Sequence, residues 1–247
     1  MSLLAAQDLT VSGPAGERLL GDLSLSIGAE ETVLLAGGSG SGKSLLGLAL
    51  GGLLDNRPSL STAGTVSRSG SVGLLFQDPR TQIVRERVRS DVAFGLENRG
   101  VPPAEIHERI DAWARRLAAT HLLDRPVKAL SRGERTLVAL LGVLVTEPDV
   151  IVLDEPLAAL DATNRSVVLD TIDELRGDHT LLVTEQHVSP LLTRIDRVLV
   201  LEDGEIAGAG TPREVLPILE RTGVRLPFGT RVALERGAPL EDVPLTG

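Results

Sequence analysis

The 247-residue chain has no cysteine and no tyrosine, and its aromatic residues are one tryptophan and three phenylalanines. Without cysteine there is no disulfide framework, no thiol nucleophile and no thiolate-bound zinc. The histidines are widely spread along the chain: His107, His121, His179 and His187. Aliphatic side chains must therefore fill the core, and few aromatic side chains are present to stack on nucleic-acid bases.

Positive charge is also in deficit, because 25 Lys and Arg stand against 34 Asp and Glu, a net charge of −9. This balance disfavours a protein whose main work is to bind phosphate backbones. Long apolar runs are missing, since residues 45–54 and 137–145 fall short of the ~20 residues that span a bilayer. The first residues do not resemble a secretory signal. We expect a folded chain that reaches a membrane only through a partner.

Short apolar stretches alternate with helical patterns along the chain, as in a parallel α/β sheet. A turn at residues 13–16 predicts an antiparallel hairpin near the start. The predicted strands are 9–11, 19–27, 32–36, 72–76, 150–153 and 181–184; the predicted helices are 45–54, 102–121, 132–145 and 162–175; and 55–71 is predicted as loop with a short strand.

A glycine-rich stretch with the pattern G-x-x-x-x-G-K-S lies between the strand at 32–36 and the next helix. Its members are Gly37, Gly38, Ser39, Gly40, Ser41, Gly42, Lys43 and Ser44. Backbone N–H groups at a helix N-terminus form an anion cradle, a lysine there reaches the β- and γ-phosphates, and the hydroxyl binds Mg²⁺. A turn that only joins a strand to a helix would not need the Lys-Ser pair, so we predict a phosphate loop.

Two further stretches carry polar chemistry. Asp154 and Glu155 end the apolar strand at 150–153, where one carboxylate can hold Mg²⁺ and the other can activate water. Alone, such a pair would be a solvated strand edge, but behind a phosphate loop it indicates a site. The stretch Leu130 to Glu134 has a plain explanation as a helix capping box, with Ser131 as the N-cap and Glu134 three residues on.

In this order, the motifs resemble the ATP-binding cassette (ABC) family over about residues 4–235. The matching positions are Gly37 to Ser44 as Walker A, Gln77 as the Q-loop glutamine, Leu130 to Glu134 as the signature, Val150 to Glu155 as Walker B, and Ala159-Leu160-Asp161 as the D-loop. Within the family, residues 76–84, 91–98 and 223–241 are similar to the ATPase subunits of energy-coupling factor (ECF) transporters.

The resemblance implies a P-loop NTPase fold, that is, a RecA-like α/β core with two additions. These are an antiparallel β subdomain near residues 1–30 and 60–75 and an α-helical signature subdomain at about 78–135, followed by a C-terminal tail at 236–247. It also implies that two cassettes pair head to tail. Each ATP would then lie between one chain's Walker A and the other chain's signature.

The site roles implied by the resemblance follow the motifs. The Walker A residues and Gln77 would bind ATP, as would Asp161 in the D-loop, and Ser131 and Gly133 would contact the partner's ATP. Ser44, Gln77 and Asp154 would serve Mg²⁺, and Glu155 would activate water. The segment from Gln77 to Asn98 would couple to a membrane subunit.

Three departures from the family pattern stand out. Arg132 and Glu134 replace a glycine and a glutamine of the usual signature, and no aromatic residue precedes Phe76 to stack on adenine. Gap-free counting places Gln186 where the family has its switch histidine, although a local shift would bring His187 there. We favour Gln186 and keep both as candidate catalytic residues.

We therefore predict an ATPase that energises an ECF-type importer of a micronutrient, a vitamin or a transition-metal ion. Its expected partners are a second cassette, a transmembrane coupling protein and a substrate-binding membrane protein, with no nucleic acid. We expect it at the cytoplasmic face of the membrane. The altered half-sites favour a heterodimer.

Two alternatives stay open. A soluble ABC ATPase acting on nucleic acid or ribosomes is opposed by the net charge of −9 and the single Walker A. A cassette that binds ATP while a paired paralogue hydrolyses it is favoured by the altered signature and switch and opposed by Glu155. A P-loop kinase would leave the signature and D-loop unexplained.

Overall fold

The computed structural model describes residues 2–54, 57–158 and 160–246. Within them the elements alternate as the sequence predicts. The strands are β1 (Ser2–Ser12), β2 (Arg18–Gly28), β3 (Thr32–Ala36), β4 (Ser61–Arg68), β5 (Val72–Leu75), β6 (Val150–Asp154), β7 (Thr180–Glu185), β8 (Arg197–Glu202) and β9 (Glu205–Gly210). The helices are α1 (Lys43–Leu50), α2 (Val88–Asn98), α3 (Pro103–Arg116), α4 (Arg132–Leu144), α5 (Ala162–Leu175), α6 (Leu216–Arg221) and α7 (Phe228–Glu235).

Six strands form the larger sheet, in the order β5-β6-β7-β3-β8-β9. Neighbouring strands from β5 to β8 pair in parallel, and β9 is antiparallel to β8. Every residue of β3 and β6 is buried, as in parallel sheets covered on both faces. The carboxyl ends of β3, β6 and β7 therefore meet at one edge, which is where α/β sheets bind ligands.

The two faces of this sheet pack against two different cores. Leu34 and Ala36 of β3 join the core made with the helices α2 to α5. Val33 and Leu35, the alternate residues of the same strand, join the core made with β1, β2 and α1. This alternation follows from the two-residue period of a strand.

A smaller antiparallel sheet has the order β2-β1-β4, and the predicted hairpin between β1 and β2 is confirmed. The prediction that residues 60–75 belong to this subdomain is wrong for the second half of that range, which contains β5. While β4 pairs with β1, β5 pairs in parallel with β6, with Val72 opposite Val150. The short strand predicted within the loop at 55–71 is present and is eight residues long; residues 55 and 56 lie outside the described residues.

Two helices are shorter than predicted. α1 ends at Leu50 rather than at residue 54, because Gly52 adopts a φ of +78°, which a glycine accommodates without steric cost. α3 ends at Arg116 rather than near residue 121, and Ala118 has a φ of +49°. Leu117 and Leu122 stay fully buried, so the apolar pattern predicted burial correctly beyond the end of the helix.

The predicted α/β class, with its β and helical additions, is confirmed by these sheets and by α2, α3 and α4. The C-terminal residues pack on the same core, since Val243 is fully buried and its carbonyl accepts a hydrogen bond from Arg213 Nη1. The bounds 4–235, 78–135 and 236–247 stay predictions. Among the described residues, no helix has both the length and the apolar character to cross a bilayer.

Candidate functional site

The glycine-rich loop joins β3 to α1 at the ligand-binding edge of the larger sheet. Gly40 and Gly42 have φ values of +80° and +102°, which other residues rarely adopt. A Cβ on Gly37 would lie 2.3 Å from the carbonyl oxygen of Leu201, and one on Gly42 would lie 2.6 Å from a methyl carbon of Leu20. Both the backbone conformation and the close packing therefore require these glycines.

The side chain of Lys43 forms hydrogen bonds with the backbone of the same loop. Its Nζ donates to the carbonyl oxygens of Gly37 and Gly38 at 2.9 and 2.8 Å. Burial lowers the pKa of Lys43, and the carboxylates of Glu155 and Asp154 act in the opposite direction. A partly desolvated ammonium forms strong charge-assisted hydrogen bonds with an anion that replaces the carbonyl contacts.

Asp154 is the last residue of β6, and its Oδ1 accepts two hydroxyl hydrogen bonds. One comes from Ser44 Oγ at 3.0 Å and the other from Thr184 Oγ1 at 2.6 Å. The structure thus brings together Ser44 and Asp154, two of the three predicted metal-binding residues. Hydroxyl and carboxylate oxygens are the hard ligands that Mg²⁺ prefers.

Glu155 follows directly and has a φ of +47°. Its backbone N–H donates to the carbonyl and hydroxyl oxygens of Thr184 at 3.1 and 3.2 Å. Gln77, on the loop after β5, donates from Nε2 to Glu155 Oε2 at 2.8 Å. Gln77 therefore contacts the predicted base rather than Ser44 or Asp154.

A cavity of about 320 Å³ joins these groups. Residues of the phosphate loop line it together with Gln77 and Glu155, and Leu19 supplies apolar surface. The signature residues Ser131 and Gly133 do not line this cavity. They lie at the start of α4, where Ser131 is the N-cap.

Ser131 makes the complete capping box that the sequence allows. Its N–H donates to Glu134 Oε2 at 2.6 Å, and its Oγ accepts from the Glu134 N–H at 3.2 Å. Arg125 Nη1 donates to the other Glu134 oxygen at 2.6 Å. These hydrogen bonds lower the pKa of Glu134, the largest cause being the Ser131 N–H. The carboxylate next to Ser131 is therefore charged at neutral pH.

Gln186 and His187 line a second cavity of about 540 Å³, which Glu155 also lines. Gln186 is half-buried there, whereas His187 is exposed. His187 Nε2 accepts a contact of 3.3 Å from Arg225 Nη1, so its ring is turned toward the C-terminal segment. Asp161 caps α5 by accepting the Asn164 N–H at 2.8 Å. Ala159 of the predicted D-loop lies outside the described residues.

Two residues at the end of β7 were not predicted from the sequence. Thr184 is fully buried and bonds both Asp154 and Glu155. Glu185 is 4% exposed and accepts the Leu157 N–H at 3.0 Å. The available signal was the polar Thr-Glu pair that ends an otherwise apolar strand, in the same pattern as Asp154 and Glu155.

Comparisons with known proteins show what the whole chain is similar to. The sequence model of the ABC transporter family matches residues 20–158. The chain is 35% identical over 261 residues to the energy-coupling factor transporter ATP-binding protein EcfA1 of Bacillus licheniformis, covering 99% of the chain and 93% of that relative. It is 32% identical over 240 residues to EcfA3 of Clostridium perfringens, covering 91% and 84%. The solved structure of cbiO1 from Clostridium perfringens, part of the ABC transporter complex cbiONQ, is similar with a TM-score of 0.75 at 29% identity, covering 96% of this chain and 99% of that one.

Proposed function

The chain belongs to the ABC transporter family and is an ABC-type ATPase; from this we propose that it energises an importer of the energy-coupling factor type for a micronutrient, a vitamin or a transition-metal ion. The observation that carries the proposal is the meeting of the phosphate loop, Asp154 and Glu155 at one sheet edge, in a chain similar to an ECF ATP-binding protein over 99% of its length. The transported substrate binds to another subunit.

The phosphate loop binds the nucleotide in this proposal. Backbone N–H groups at the start of α1 point to the phosphates, and the positive end of the helix dipole favours them. When the nucleotide binds, Lys43 Nζ releases the carbonyl oxygens of Gly37 and Gly38 and donates hydrogen bonds to phosphate oxygens instead. This exchange is favourable because a charge-assisted hydrogen bond is stronger than a neutral one.

The hydroxyl of Ser44 and the carboxylate of Asp154 fit Mg²⁺, since both oxygens lie at the foot of the loop and 3.0 Å apart. Bound Mg²⁺ would neutralise charge on the phosphate oxygens. Thr184 Oγ1 also donates to Asp154 Oδ1, at 2.6 Å. The carboxylate is thus already oriented before any ligand binds.

Glu155 takes a proton from the attacking water in this proposal. Gln77 holds Glu155 Oε2, which leaves Oε1 as the acceptor. Ser131 and the N-terminus of α4 serve the ATP of a second cassette, which is paired head to tail with this one. The pair would be attached at the cytoplasmic face of the membrane to a transmembrane coupling protein and a substrate-binding membrane protein, through residues 77–98.

Purification of the chain from its native membranes in detergent tests the assembly. We expect two membrane proteins to copurify, one of them small and loaded with substrate, and ATP-dependent uptake in vesicles. Lys43→Ala is the control, which should keep the partners and abolish uptake. Copurification with ribosomes or nucleic acid, together with RNA-stimulated hydrolysis, would instead favour the soluble alternative.

One observation favours a second function, a cassette that binds ATP while a paired paralogue hydrolyses it. The Ser131 N–H is already bonded to the charged Glu134, which opposes a phosphate at this position. Single-turnover hydrolysis in the purified pair separates the two functions. A chain that hydrolyses ATP in its own Walker A site has the first function.

A further inference from the structure

Glu185 is a carboxylate in a place where carboxylates are rarely found. It ends β7, in which every residue is buried, and is itself 4% exposed. In the sheet it lies opposite Ala36, the residue before the phosphate loop. A charged group so far from water must be bonded to protein donors.

One such donor lies on the loop that follows β6. Leu157 N–H donates to Glu185 Oε1 at 3.0 Å. The backbone groups of Gln186 and His187, which follow Glu185 in the chain, act to lower the pKa of the carboxylate. One side chain therefore joins the loop that follows β6 to the loop that follows β7.

The first of these loops contains Glu155, which lies in the left-handed region with a φ of +47°. Such a conformation costs roughly 1–2 kcal/mol for a residue other than glycine, so the surrounding contacts must maintain it. Glu155 is held on one side by its N–H on Thr184. Leu157, two residues on, is held by Glu185. Two neighbouring residues of β7, Thr184 and Glu185, therefore hold the backbone of the predicted base and of the residue two positions after it.

We infer that Glu185 is a positioning residue for ATP hydrolysis: it holds the Leu157 N–H, keeps Glu155 beside Gln77, and sets the start of the loop that carries Gln186. It acts on the reaction only through these neighbours. The inference rests on the role proposed for Glu155.

Glu185 can hold the Leu157 N–H in either protonation state. Burial raises the pKa of Glu185 to about 7, and the Glu155 carboxylate adds to the rise, while the backbone groups of Leu157, His187 and Gln186 oppose it. Either form keeps an oxygen that can accept the Leu157 N–H. Glutamine at this position therefore reproduces the neutral form, and methionine reproduces the length of the side chain without the acceptor.

Three variants in the assembled transporter complex test the inference: Glu185→Gln, Glu185→Met and Thr180→Val. Thr180 is a matched control at the opposite end of the same strand, because it is 1% exposed and its Oγ1 accepts the Glu30 N–H at 2.9 Å. The readouts are ATP affinity, single-turnover hydrolysis, and hydrogen exchange of the peptide containing Leu157.

We expect Glu185→Gln to retain hydrolysis within about threefold, because the acceptor remains. Glu185→Met should slow hydrolysis by about tenfold or more, the effect of ~1.4 kcal/mol at the barrier, with ATP affinity unchanged and faster exchange at Leu157. Thr180→Val should lower the melting temperature only. If Glu185→Met does not fold, Glu185→Asp withdraws the acceptor while keeping the charge, and should slow hydrolysis in the same direction.

Wild-type hydrolysis in Glu185→Met, or in Glu185→Asp if that variant is needed, overturns the inference. So does a Glu185→Gln variant as inactive as Glu155→Gln, since the carboxylate would then act chemically. Failure of the proposed function gives a different result: Glu155→Gln itself would remain active. The two failures are therefore distinguishable.

Discussion

Gln77 Nε2 lies 2.8 Å from Glu155 Oε2, although 78 residues separate them in the chain. Gln77 begins the segment predicted to couple to the membrane subunit, and Glu155 is the predicted base. A displacement of this segment therefore changes a hydrogen bond of the base directly. One amide therefore joins the predicted base to the segment predicted to couple to the membrane subunit.

Glu155→Gln should preserve ATP binding and lower hydrolysis by about 10²–10⁴-fold, the usual contribution of a general base. The amide keeps the shape of the side chain and an oxygen for Gln77 to bond. Nucleotide affinity and single-turnover rates measure the two effects separately. The control is Glu108→Gln on the exposed surface of α3, which should change neither; wild-type hydrolysis in Glu155→Gln would remove Glu155 from the mechanism.

Gln186→Ala should slow hydrolysis by about ten- to a hundredfold, because a hydrogen bond to a charged group is worth roughly 1.5–3 kcal/mol. His187→Ala should have little effect, since the His187 ring contacts Arg225. Single-turnover rates of both variants decide between the two residues. The reverse pattern would assign the switch role to His187, and no effect from either would favour the binding-only function.

Glu134→Gln should raise hydrolysis at the ATP predicted to face Ser131 by about two- to fivefold, since the repulsion between two solvated negative charges is worth about 1 kcal/mol or less. It removes a negative charge beside a phosphate while keeping an acceptor for the Ser131 N–H. Glu214→Gln is the matched control, because Glu214 accepts the Thr211 N–H at 2.7 Å in a similar turn. Slower hydrolysis in Glu134→Gln alone would show that the charge assists the site.

Arg85→Glu should weaken attachment to the membrane partner without changing ATP affinity. Arg85 lines a cavity of about 770 Å³ with other cationic residues, and this cavity contains no residue of the phosphate loop. Copurification with the partner measures the effect. Arg85 also pairs with Glu97 at 2.7 Å, so the double variant Arg85→Glu, Glu97→Arg is the control; recovery of attachment would show that Arg85 only supports α2.

Glu185→Gln should become more stable relative to wild type as the pH rises from 5 to 8. The folded-state pKa of Glu185 is about 7, above the ordinary 4.5. Wild-type stability is therefore full below the unfolded pKa and falls as the pH rises through the folded one. Because glutamine does not titrate, Glu185→Gln avoids this loss, which is on the order of 3 kcal/mol in the free energy of unfolding at pH 8. Melting temperatures across this range check the sign, and an equal offset at every pH would contradict it.

Local patterns predicted much of this molecule. The glycine loop, Asp154 and Glu155 depend on short motifs at the ends of apolar strands, and α5 has the predicted bounds. The placement of β5 was missed because strand pairing is a long-range contact: Val72 pairs with Val150. No local signal distinguishes that pairing from one with the smaller sheet.

The same limit explains the missed site residues. The roles of Thr184 and Glu185 depend on the register that sets Asp154 opposite Thr184, which no single stretch of sequence contains. The contact between His187 and Arg225 spans 38 residues and likewise required the fold. By contrast, the hydrogen bonds within Leu130 to Glu134 were predictable, since a capping box is local.

Because neighbouring residues of β3 belong to opposite cores, neither core can lose its packing without disturbing the strand that both share. Domains linked in this way melt as one cooperative unit rather than in stages. Val33→Ala and Leu34→Ala, one for each core, should therefore lower the same single thermal transition. The phosphate loop, which begins at the end of β3, would then stay ordered up to the point of global unfolding.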